Sequence, residues 1–116
     1  MRRIVRSFFY ALKGILYTLR HERNFQIECA VAGTTLLFML WLPISPLEAV
    51  VLILTIALVL GMEMINTALE RVMDILKPRV HPYARVIKDV MAGAVLIATI
   101  AAVLIGILIF FPHFFP

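Results

Sequence analysis

Charge is scarce in this chain: only 16% of its 116 residues are Asp, Glu, Lys or Arg, while 63% are hydrophobic. A soluble domain carries roughly 45–50% apolar residues, so water is the wrong solvent for most of this sequence. The one cysteine, Cys29, excludes an intrachain disulfide and any cysteine-built metal site. It lies in an apolar stretch and reads as a small buried residue. Glycine-rich phosphate cradles are missing too. With no GxxxxGK[ST] loop, no kinase-type glycine-rich loop and no HRD motif, any nucleotide site must be of another design. No flexible linker divides the chain, so the expected unit is a single helical membrane domain over 1–116.

What is present is organised in three apolar blocks behind a basic start. In residues 1–24, Ile4, Val5, Phe8, Leu12, Ile15 and Leu19 recur at three- and four-residue spacings, and Arg2, Arg3, Arg6, Lys13 and Arg20 take other positions. That pattern predicts an amphipathic surface helix. Gly14, Lys13 and the arginines interrupt what a signal peptide would need as its apolar core, so the segment is expected to be retained. Residues 25–42 form a first apolar block that PISP at 43–46 ends with a turn. Residues 47–76 read as one helix containing a second span, stopped by Lys77 and Pro78. Residues 86–111 contain a third, whose Gly93, Ala94, Ala98, Ala102 and Gly106 suit close helix packing in lipid. The expected fold is therefore all-α, three transmembrane helices plus an N-terminal surface helix.

The formal charge is +4. Its basic residues sit in two short segments beside apolar blocks, which fits phospholipid headgroups rather than nucleic acid. Six of the eleven Lys and Arg precede the first span and five lie between Arg71 and Lys88. By the positive-inside rule the N-terminus and the 71–88 segment face the cytoplasm, and the FFPHFFP end faces outward. His113 in that tail reads as an interfacial residue.

Along the second helix, Glu63, Asn66, Thr67, Glu70 and Asp74 are spaced by threes and fours and share one face. At 1.5 Å per residue from Leu47, Glu63 lies ~24 Å across a core ~30 Å thick, just inside its cytoplasmic boundary. An ionisable group there costs roughly 2.5–3.5 kcal/mol, and such groups face protein or water and carry function. Glu22 and Glu28 flank the entry to the first span, and Lys88 and Asp89 open the third. Gathered at one membrane surface, these carboxylates and this lysine suit phosphoryl transfer: oxygen ligands for Mg²⁺, a cation for phosphate and a deeper carboxylate beside a lipid hydroxyl. A non-enzymatic assembly or ion-pathway subunit is the alternative that the same acidic stripe permits.

EMINTALERVMD at 63–74 and HPYARVIKDVMAGAVL at 81–96, with RHERNFQIE at 20–28, closely resemble the prokaryotic diacylglycerol kinase and undecaprenol kinase family. The resemblance covers nearly the whole chain. It implies a multi-pass plasma-membrane enzyme, a homotrimer with active sites shared between subunits, and transfer of phosphate from ATP, with Mg²⁺, to a lipid alcohol. Carried over by position, Glu63 is the general base with Asn66 in support, and Glu22 and Glu70 coordinate the nucleotide's magnesium. Lys88 and Asp89 match a phosphate- and nucleotide-binding pair, and Arg3, Tyr10, Arg79, Val80 and His81 fall where the nucleotide is held. Asn24, Phe25, Gln26, Glu28, Asp74 and Ala92 are implied as supporting or substrate-binding. ERNFQ at 22–26 and the AGAVL run resemble the undecaprenol branch. The diacylglycerol branch commonly has a serine where this chain has Ala92, so undecaprenol is the expected substrate and diacylglycerol the alternative.

Overall fold

The computed structural model describes residues 1–76 and 82–116. The expected helix stop at Lys77 and Pro78, and the candidate nucleotide residues Arg79, Val80 and His81, lie outside the described residues. Four helices account for nearly all of the rest: α1 (Arg2–His21), α2 (Arg23–Trp41), α3 (Pro46–Leu76) and α4 (Tyr83–Phe114).

The surface helix ends earlier than the sequence pattern suggests. Glu22 leaves the helical region with φ −114° and ψ 113°, and it both closes α1 and opens α2. Its backbone N–H still donates to the Thr18 carbonyl at 2.9 Å. The Gln26 amide reaches back across the break to the Leu19 carbonyl, also at 2.9 Å. A bend of one residue is thus tied on both sides, with the Glu22 N–H bonded to α1 and its carbonyl accepting from the Gln26 N–H at 3.1 Å.

The PISP turn does more than break a helix. Ser45 and Glu48 form a reciprocal capping box, with the Ser45 N–H donating to Glu48 Oε1 at 3.0 Å and the Glu48 N–H to Ser45 Oγ at 3.2 Å. Pro46 is the first residue of α3, where its missing N–H is no loss. At the far end of α4 the helix continues through Pro112 to Phe114, beyond the expected 111, because the lost hydrogen bond falls in a final turn that is already fraying. His113 in that turn lies 3.7 Å from Glu48, so the start of α3 and the end of α4 meet at the same end of the molecule.

Helix α3 is the centre of the fold, packing against α4 most extensively and against α2 and α1 as well. Ala98 is buried and Ala94 and Ala102 are half-buried, but a Cβ added at Gly93 or Gly106 would meet nothing within 4 Å, so these two glycines make no close helix contact within one chain. Burial is otherwise inverted relative to a soluble protein. Glu63 is 3% exposed and Thr67 4%, whereas Ile97 and Leu108 are more than 70% exposed. An apolar exterior around a polar interior row is what lipid as solvent favours. Helices α3 and α4 are each long and apolar enough to cross a membrane. Asn24, Gln26 and Glu28 in the first two turns of α2 dilute its apolar character.

Candidate functional site

The break at Glu22 and the middle of α3 converge. Glu63 has Glu22 and Glu70 within electrostatic reach, and Glu28 in turn has Glu63. Four carboxylates, from the break, α2 and α3, thus share one electrostatic neighbourhood around Glu63, which the spacing along α3 alone could not reveal. Glu63 is buried at its centre, held on the same turn as Thr67, whose hydroxyl donates to the Glu63 carbonyl at 3.0 Å. Asn66 turns its amide toward Glu70 rather than toward Glu63, with Nδ2 donating to Oε1 at 3.3 Å. The support expected for the deepest acid goes instead to its neighbour one turn on.

Opposing the cluster stands a cation that the sequence reading treated only as a topological charge. Arg71 donates from Nη2 to Glu22 Oε1 at 2.8 Å and from Nε to the Tyr17 hydroxyl at 3.0 Å. The Tyr17 contacts first, and Glu22 after them, hold this guanidinium above its already high ordinary value, so it remains charged at any working pH. Tyr17 is itself stacked on His21, with ring centroids 4.2 Å apart. The available signal was adjacency: Arg71 follows Glu70 directly, and Tyr17 precedes Glu22 by about one helical turn.

Lys88 and Asp74 form a second pairing at 3.0 Å, joining α4 to the end of the acidic stripe. Both are partly exposed, and such a pair is worth about 0–1 kcal/mol. Asp89 and Ala92 lie on exposed turns of α4. Arg3 and Tyr10 are exposed on α1. Tyr10 stands twelve residues before Glu22, ~18 Å from it along α1. Among the described residues no three acidic, histidine or cysteine side chains are grouped closely enough to hold a metal by themselves. The donor set still fits magnesium, which typically takes one or two carboxylates and completes its shell with water and substrate phosphates.

From the cluster an apolar groove of about 450 Å³ runs between α2, α3 and α4. Asn24 and Glu28 line one end, and Glu28 Oε2 is buried without a hydrogen-bond partner. Thr35, Thr55 and Thr99 face the groove from three different helices, but each hydroxyl donates to the carbonyl four residues back. Their methyl groups are what remains for an occupant. At the other end, Phe38 of α2 meets Phe110 and Phe114 of α4 with centroids 6.2 and 5.8 Å apart.

The chain is similar to known lipid kinases over most of its length. The family model described as prokaryotic diacylglycerol kinase matches residues 9–110. The chain is 37% identical to the undecaprenol kinase of Bacillus subtilis over 112 residues, covering 97% of this chain and 91% of that protein. It is 40% identical to a diacylglycerol kinase of Synechocystis over 101 residues, though it spans only 58% of that protein's length. With the diacylglycerol kinase of Escherichia coli K12 it shares 30% identity over 112 residues, 97% of this chain and 92% of that one.

Proposed function

This chain belongs to the prokaryotic diacylglycerol kinase family and is a membrane lipid kinase, and from that premise we propose that it transfers the terminal phosphate of ATP to undecaprenol at the cytoplasmic face. The observation that carries the reading is the buried Glu63 with Glu22, Glu28 and Glu70 in its electrostatic neighbourhood, of which Glu28 lines one end of an apolar groove.

In this reading α2 is the third spanning helix, the N-terminus is cytoplasmic and the C-terminus lies outside. The lipid lays its hydrocarbon along the groove and presents its hydroxyl at the Glu28 end. Glu63 accepts the hydroxyl proton as the oxygen attacks the terminal phosphorus, and ADP departs with the electron pair of the broken P–O bond. Glu22 and Glu70 would hold Mg²⁺, with Asn66 fixing Glu70; the ion, when bound, neutralises charge on the phosphates. Lys88 leaves Asp74 for a phosphate oxygen, and Asp89 lies beside it. Arg3 and Tyr10 contact nucleotide from α1 of a neighbouring copy, which makes a homotrimer with shared sites the working unit. That arrangement accounts for their distance from the acidic cluster of their own chain.

Undecaprenol is favoured over diacylglycerol because the groove offers methyl groups rather than unused hydroxyls. An ester-bearing glycerol would find few donors along it. Rates measured side by side with polyprenol and diacylglycerol in mixed micelles test this choice. Equal or faster turnover of diacylglycerol would overturn it, and no transfer to any long-chain alcohol would overturn the proposed reaction.

A further inference from the structure

We infer that Arg71 is a positioning residue for the phosphoryl-transfer site, its guanidinium setting the Glu22 carboxylate in the orientation that metal–nucleotide binding requires. The inference rests on the reading of Glu22 given above. Glu22 is the extended residue between α1 and α2, its N–H and C=O bonded to one helix each. Its side chain also stands within reach of the Glu63 carboxylate, and like charges in a partly desolvated setting push apart. Left to itself it would swing toward water, away from α3.

Arg71 opposes that movement with two donors of one planar fork. Nη2 takes Glu22 Oε1 at 2.8 Å, while Nε takes the Tyr17 hydroxyl at 3.0 Å. One contact lies in the last turns of α1 and the other at the break itself, so both are tied to α3. A lysine carries the same charge but lacks the fork, and it cannot hold both acceptors in this geometry. The Arg71 and Glu22 side chains are 39% and 21% exposed, so the pair adds little to stability. Its effect is geometric. The bond engages Oε1, so Oε2 can turn to an incoming cation.

The test uses the full chain in mixed micelles, with Arg71→Gln, Arg71→Lys and Tyr17→Phe. Loss of one hydrogen bond to a charged group predicts a KM for Mg·ATP raised about threefold to tenfold, largest for Arg71→Gln and smallest for Tyr17→Phe. The kcat at saturating Mg·ATP should stay within about twofold. Binding of Mn²⁺ with a non-hydrolysable ATP analogue, followed by electron paramagnetic resonance without lipid substrate, should weaken by the same factors. Arg71→Lys should recover less than half of the loss, because charge alone is not what is needed. Unchanged KM and Mn²⁺ affinity in all three variants would overturn the inference. So would tighter binding in Arg71→Gln, which would make Arg71 a competitor of the metal, or a fall in kcat alone. If Arg71→Gln fails to fold, Tyr17→Phe carries the same decision. An active wild type with unaffected variants rejects only the role of Arg71; a wild type that neither turns over nor binds Mn²⁺–nucleotide rejects this inference together with the proposed function.

Discussion

Asn66 donates its side-chain amide to Glu70, one helical turn on, and so ties a neutral group to an outer acid rather than to the buried Glu63. The bond fixes which Glu70 oxygen points outward. Partners of this kind commonly govern metal affinity by 10–100-fold, so Asn66→Ala should raise the Mg²⁺ concentration for half-maximal rate about tenfold. A Mg²⁺ titration at fixed ATP checks it; an unmoved midpoint with a lowered maximal rate would return Asn66 to the support of the base.

Glu63→Gln keeps the shape and removes the proton acceptor. Phosphate transfer from ATP to lipid should fall about 10²–10⁴-fold, with apparent melting temperature in detergent held or raised, since a buried charge has been taken away. Turnover near the wild-type rate in folded protein would rule out the assigned base.

Much of this was legible in the sequence. The face shared by Glu63, Asn66, Glu70 and Asp74 follows from helical period alone, because α3 runs unbroken from Pro46 to Leu76. The bend at Glu22 was not legible: RHERNFQ carries no proline or glycine, and the break is fixed by Gln26 and Arg71, contacts that no periodicity encodes. The groove was hidden for a similar reason, since Thr35, Thr55 and Thr99 look polar until their hydroxyls are seen bonded to their own helices.

Shared sites predict complementation. Subunits carrying Glu63→Gln and subunits carrying Arg3→Ala with Tyr10→Ala, each impaired alone, should regain a measurable fraction of activity when unfolded together and refolded as a mixture, since Arg3 and Tyr10 serve the neighbouring copy. Activity no greater than the sum of the two separate preparations would place Arg3 and Tyr10 in the same subunit's site as Glu63.

Gly106 lines the groove, and a Cβ added there meets nothing within 4 Å. The Cβ of Gly106→Phe therefore has room, and the ring is expected to reach into the groove. The KM for the lipid alcohol should rise about tenfold while the KM for Mg·ATP stays put. A shift in both would mean that the substitution disturbs the fold rather than the hydrocarbon path.

Ser45→Ala removes half of the capping box at the head of α3. The loss should cost about 1 kcal/mol, read as a lower midpoint of thermal inactivation with unchanged KM values, since the cap lies at the end of α3 away from the carboxylates. A changed KM for either substrate would show that the two ends of α3 are coupled.

Helix α3 has 31 residues, ~46 Å at its regular rise, against a hydrocarbon core of ~30 Å. The surplus, about the last 11 residues, carries Glu70 and Asp74, with Glu63 just inside the boundary, so the reacting oxygen sits at a height measured from the far side of the membrane by a rigid ruler. Thickening the bilayer with longer acyl chains would draw Glu63 down into oil, and thinning it would lift the stripe into brine. The protein thus has a preferred thickness of host membrane written into one helix.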